Sequence, residues 1–78
     1  MATTKMIQSL ERGFAILELL GSSHEELSVK EISDALGLNK STAFGLIHTL
    51  TRLGYLEQND QDQKYTLGIK MRPISKQR

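Results

Sequence analysis

Lys40, Ser41, Thr42, Phe44, His48, Thr49 and Arg52 fall within one short segment of this 78-residue chain. No acidic residue occurs between positions 35 and 56. Ammonium and guanidinium groups neutralise phosphates, and hydroxyls donate to phosphate oxygens or to base edges. An aromatic ring beside them offers an apolar contact, which the DNA major groove presents as the thymine methyl. Projected on a helix at about 100° per residue, Ser41, Gly45, His48 and Arg52 lie along one outward line, with Phe44 and Thr49 beside it. Lys40, Ser41 and Thr42 would open that helix, where free N–H groups and the dipole favour an anion. The competing reading is a solvated face. It accounts for Ser41, Thr49 and Arg52, and accounts for Phe44 only if that ring folds back onto the edge of the core.

Other chemistries find little support. The chain has no cysteine, which excludes disulfides, zinc fingers and thiol catalysis. His24 and His48 are far apart and share no metal-ligand spacing, so no metal is expected. Glu25 and Glu26 are sequence neighbours whose side chains diverge, which suits a solvated patch better than a carboxylate pair. Ser22, Ser23 and Ser41 have no partnered base. The glycines form no phosphate-loop pattern. Tyr55 and Tyr65 read as hairpin core or cross-strand partners rather than a stacking platform. No enzyme and no cofactor is expected.

The net charge is only +1, but its distribution is uneven. Glu11, Glu18, Glu25, Glu26, Glu31 and Asp34 lie upstream. Lys64, Lys70, Arg72, Lys76 and Arg78 follow residue 63 without any acid. One basic surface and one acidic surface suit a polyanion partner, although an ordinary mixed surface would also give this pattern. A domain of this size buries roughly 60% of its unfolded surface, enough for one modest core and not for a deep substrate pocket. No apolar run resembles a leader peptide or approaches the roughly 20 residues that span a bilayer. A cytoplasmic location without membrane contact is the expectation.

The elements that would position these groups are legible from periodicity and capping. Leu10, Phe14, Leu17 and Leu20, with Ile7 and Gly13, predict an inward stripe on a helix over residues 7–20, capped at Gly21. Ser28-Val29-Lys30-Glu31 fits a capping box. It predicts a short second helix with Val29, Ile32, Ala35 and Leu36 inward and a stop at Gly37. Leu38 should plug the core and Asn39 should cap a third helix, Lys40–Leu53, with Ala43, Leu46, Ile47, Leu50 and Leu53 inward and Gly54 at its end. Residues 55–58 and 64–67 read as two strands around a polar turn, with residues 27–28 able to add a third. Residues 69–71 can start another helix, which Pro73 would disturb.

This order gives a mainly α fold with a small β-hairpin: a winged helix-turn-helix of three helices plus a two- or three-stranded wing. Residues 1–6 are expected to form a disordered arm, 7–68 the domain, and 69–78 the start of a linker or a frayed tail.

Four segments carry a resemblance. They are Ser9-Leu10-Glu11-Arg12 followed by Ile16-Leu17-Glu18-Leu19-Leu20; Leu36-Gly37-Leu38-Asn39-Lys40-Ser41-Thr42; residues 50–57, L-T-R-L-G-Y-L-E; and Tyr65-Thr66-Leu67-Gly68. In this order and spacing the chain resembles the N-terminal winged domain of the IclR family of bacterial transcription regulators. The resemblance implies operator binding by dimers or dimer pairs, with the first helix and a linker helix after the wing pairing the domains. It implies DNA contacts at Lys40, Ser41 and Thr42, and a small-molecule effector bound by a larger C-terminal domain that this chain lacks. Two residues beyond that triplet the family commonly carries a polar or basic pair, often His-Arg; here Phe44-Gly45 stands instead. That departure would lower affinity, shift sequence preference, or bring the helix backbone closer to the bases.

The resulting expectation is sequence-specific binding of double-stranded DNA for transcription regulation. The helix over residues 40–53 enters the major groove, and Lys40, Ser41, Thr42, Phe44, His48, Thr49, Arg52 and the wing residue Lys64 make the contacts. The alternative is a winged-helix protein-interaction or dimerisation module that does not bind DNA.

Overall fold

The computed structural model describes residues 5–71. Residues 1–4 and 72–78 lie outside the described residues, and with them most of the expected arm and tail. The chain forms α1 (Gln8–Ser22), α2 (Val29–Leu36), α3 (Lys40–Leu53), β1 (Leu56–Gln58), β2 (Tyr65–Leu67) and a 3-10 turn at Ile69–Met71.

The capping chemistry sets the ends of α2 and α3. The Ser28 hydroxyl accepts from the Glu31 N–H at 3.1 Å, and the Ser28 N–H donates to the Glu31 carboxylate at 2.8 Å. The Asn39 side chain accepts from the Thr42 N–H at 2.9 Å. Both helices end in one motif. Gly37 and Gly54 adopt left-handed conformations, φ 68° and 95°, a region open to glycine without a Cβ penalty. The N–H of the following residue then reaches back to close the turn, Leu38 to Ser33 O and Tyr55 to Leu50 O, each at 2.9 Å. This is a Schellman cap, and its trailing apolar residue packs inward.

The wing is a two-stranded antiparallel hairpin with Leu56 opposite Leu67, Glu57 opposite Thr66 and Gln58 opposite Tyr65. The expected third strand is a single bridge, Leu27 to Tyr65. The turn between the strands is held by its own polar groups. The Asn59 side chain accepts from the Gln61 N–H at 2.8 Å, and the Asp62 carboxylate accepts from the Lys64 N–H at 3.1 Å.

All three helices and both strands contribute to one core: Ile16, Leu17, Leu20, Ile32, Ala43, Ile47, Leu56 and Tyr65. Burying such side chains is the main favourable term in folding. Leu38, Leu46, Leu50 and Tyr55 pack against it half-buried.

Several expected inward positions point elsewhere. On α1, Leu10 and Phe14 are 58% and 57% exposed, whereas Ile16 is completely buried. The apolar arc of this helix covers about half its circumference, and α2, α3 and the hairpin cover only one side of it. Gly21 does not cap α1: the helix continues through Ser22, with Ser23 as an extended cap, and Gly21 faces the Leu67 side chain. On α2, Ala35 is exposed and Ser33 is buried. The Ser33 hydroxyl is satisfied by donating to the Lys30 carbonyl at 3.0 Å, so the inward set follows the spacing 29, 32, 33, 36. On α3 the stripe ends before Leu53, which is exposed in the last turn.

Candidate nucleic-acid interface

The interface is built on α3. Ala43 and Ile47 are buried in the core, and Leu46 and Leu50 pack against it. Inward packing therefore fixes the rotation of the helix and commits its opposite side outward. Lys40, Ser41, Phe44, Gly45, His48, Thr49 and Arg52 are all exposed, and Thr42 is half-buried. No acid occurs anywhere in α3. Arg52 stands in its last turn, where a cation also suits the negative end of the dipole.

The hydroxyls are less free than their residue types suggest. The Ser41 hydroxyl donates to the Asn39 side chain at 3.2 Å, and the Thr49 hydroxyl donates to the Gly45 carbonyl at 2.9 Å. Each keeps acceptor capacity, while its donor is used locally. Phe44 is 52% exposed, so it does not fold back into the core. Its ring stacks on His48, with centroids 5.9 Å apart and planes inclined by 21°. This is the contact expected of side chains four residues apart on one helix face.

Lys64 lies off this helix, half-buried at the turn end of the wing, where its carbonyl accepts from the Asn59 N–H. Its charge reaches the Glu31 carboxyl at the start of α2. That carboxyl is held below the usual carboxylate range, chiefly by the Ser28 N–H and to a smaller extent by Lys64. Lys64 therefore faces an acid as well as solvent. On α2, Lys30 pairs with Asp34 at 2.8 Å. Among the described residues, no group of three or more histidine, aspartate or glutamate side chains could hold a metal ion.

A second surface involves α1, the helix that the family resemblance assigns to pairing the domains. Leu10, Phe14, Leu50, Leu53 and Met71 line an open apolar groove between α1, the end of α3 and the 3-10 turn. The signal for it was the excess width of the apolar arc on α1.

A three-helix core, a helix with a fixed outward face and a hairpin docked beside it define a winged helix-turn-helix domain. The model of the IclR helix-turn-helix domain matches residues 9–60. The chain is 44% identical over 66 residues to the HTH-type transcriptional regulator XynR of Escherichia coli, covering 85% of this chain and 26% of that protein. It is 43% identical over 65 residues to the glycerol operon regulatory protein of Streptomyces coelicolor, covering 83% of this chain and 26% of that one. Among solved structures, an IclR-family transcriptional regulator from Brucella abortus superposes with a TM-score of 0.77 at 37% identity, covering 83% of this chain and 25% of that one. The chain belongs to the IclR family and is a DNA-binding domain of the transcription-regulator type. It spans about a quarter of the length of these relatives.

Proposed function

We propose that this domain binds a specific double-stranded DNA sequence with α3 in the major groove. The observation that carries the reading is the division of α3 into a buried face, anchored by Ala43 and Ile47, and an acid-free exposed face bearing Lys40, Ser41, Phe44, His48 and Arg52. Lys40 and Arg52 neutralise phosphates. Thr42 supplies a polar contact near the backbone, and Ser41 and Thr49, whose hydroxyls keep acceptor capacity, face amino groups on base edges. The wing lies against the adjacent backbone, with Lys64 at its turn. Non-specific affinity arises largely from counterion release and therefore falls with salt, while the exposed side chains of α3 carry the sequence preference.

Two copies bind together in this reading. Leu10 and Phe14 on α1, with Leu53 and Met71, are exposed apolar side chains gathered along one groove, the kind of contiguous patch that marks an interaction surface. A second copy placed there by two-fold symmetry buries the same strip on both sides. The effector belongs to a C-terminal domain of the whole regulator, and the cytoplasm is where this DNA partner is met.

Fluorescence anisotropy with duplexes tiled across the region upstream of the regulator's own gene tests the proposal. One tile should bind far more tightly than the others at physiological salt. Equal affinity for every duplex, or none at low salt, would overturn specific readout. A dimer lost on Leu10→Lys with Phe14→Lys, seen by sedimentation, checks the pairing.

A further inference from the structure

We infer that the stacked pair Phe44 and His48 reads the C5 methyl of a thymine, making Phe44 a specificity-determining residue; this rests on the DNA-binding reading above. Phe44 is a large apolar side chain held more than half exposed on the outward face of α3. Such a ring gains nothing from water, and the core does not require it. It is not a loose ring either. His48, one turn on, lies against it with the planes inclined by only 21°. The apolar ring of Phe44 is backed by the His48 imidazole and so loses little freedom when a partner arrives.

Gly45 supports the same reading. It lies in the interior of α3, where glycine is disfavoured relative to alanine. Its backbone is not left-handed, and a Cβ there would meet no heavy atom within 4 Å. Nothing inside the fold calls for a glycine at this position. Beside the Phe44 wall, its missing side chain leaves a shallow opening that lets the helix backbone approach the groove.

The major groove displays hydrogen-bonding atoms on every base pair, but an apolar group only at thymine. Phe44 has no donor or acceptor, so the favourable contact it can make at a base edge is with that methyl. His48 acts as a positioning residue, holding the ring upright against the groove floor.

The test starts from a duplex selected by the 78-residue chain from a random library. Each thymine in the selected site is then replaced singly by deoxyuridine, which removes the methyl and keeps every hydrogen-bonding atom. Anisotropy titrations give the ratio of affinities for thymine and deoxyuridine at each position. At one position per half-site the ratio should be about three to five, the value of burying one methyl-sized group. Phe44→Ala should bring it to about one. His48→Ala should lower it, and His48→Phe should restore it.

Deoxyuridine without effect at every position would overturn the inference and leave DNA binding standing. So would a methyl effect that survives Phe44→Ala, because the methyl would then be read elsewhere. Failure to select any duplex would overturn the underlying reading instead. Phe44 is exposed, so these variants should keep the wild-type circular dichroism and melting temperature.

Discussion

Leu27 and Tyr65 donate to each other's carbonyls, at 3.0 and 2.7 Å, and so join the segment before α2 to the second strand of the wing. β2 is thereby bonded on both edges, to β1 on one side and to Leu27 on the other. The Tyr65 side chain turns from this bridge into the core. The wing is therefore part of the hydrophobic fold rather than an appendage. A Glu26 carboxylate accepting from the Asn59 side chain at 3.3 Å adds a second tie. Tyr65→Ala should cost about 3–5 kcal/mol, as aromatic truncations in cores do. That is a large share of the total stability of a domain this small. Urea unfolding should show a much lower midpoint, while Tyr65→Phe, which keeps the ring, stays within about 1 kcal/mol of wild type.

Glycine-to-alanine changes should have opposite signs at two sites. A Cβ at Gly68 would lie 2.5 Å from the Gly54 carbonyl oxygen and 2.9 Å from the Leu56 nitrogen. Both are backbone atoms, one in the cap that ends α3 and one at the start of β1, so neither can swing aside. Gly68→Ala should destabilise by about 1–3 kcal/mol, the usual range for overpacking. At Gly13, inside α1, a Cβ would meet no heavy atom within 4 Å. Gly13→Ala should raise the melting temperature of the isolated domain, with a gain of about 0.5–1 kcal/mol.

Much of this arrangement was readable beforehand where local chemistry decides it. The limits of α3 follow from Asn39 at one end and Gly54 at the other, and the capping box at Ser28 and Glu31 forms with both of its hydrogen bonds. These motifs close within a few residues and need no tertiary partner. Periodicity does not fix the burial of α1, because it marks an apolar arc without saying which part a neighbour will cover. Leu10 and Phe14 have the same spacing as a core stripe, and only the positions of α2, α3 and the wing show that they lie outside it. The exposed face of α3 was legible for the converse reason: once Ala43 and Ile47 are inward, helix geometry fixes Lys40, Phe44, His48 and Arg52 outward. The hydrogen bonds that occupy Ser41 and Thr49 were not legible, since they depend on rotamers.

Gly45→Ala should separate stability from binding. The new methyl meets open space in the free domain, so the helix should gain about 0.5–1 kcal/mol. If α3 enters the groove at this position, the same methyl stands between backbone and bases and weakens DNA binding. Melting curves and anisotropy on one preparation should move in opposite directions. A variant gaining in both would place Gly45 away from the DNA.

The cap of α2 should make stability depend on acid. The folded Glu31 carboxyl is held low, first by the Ser28 N–H, so the folded state binds protons less readily than the unfolded one. Its contribution is fully present above the ordinary carboxylate range and is lost as pH falls through the lowered folded value. The difference in melting temperature between wild type and Glu31→Ala should therefore be larger at pH 7 than at pH 3. Ser28→Ala removes the other half of the box and should cost about 1 kcal/mol at neutral pH.

Salt dependence distinguishes the charged residues of α3 from its aromatic pair. Each phosphate neutralised on duplex DNA contributes a slope of about 0.9 in the logarithm of affinity against that of salt concentration. Arg52→Ala and Lys40→Ala should each lower the slope by roughly that amount and weaken binding to related and unrelated duplexes alike. Phe44→Ala carries no charge change and should leave the slope untouched while altering which duplex is preferred. Lys64→Ala should change the slope less than Arg52→Ala, because Lys64 already feels the Glu31 carboxylate and releases fewer counterions when a phosphate arrives. A full unit lost on Lys64→Ala, with none lost on Arg52→Ala, would place the phosphate contacts on the wing and draw α3 out of the groove.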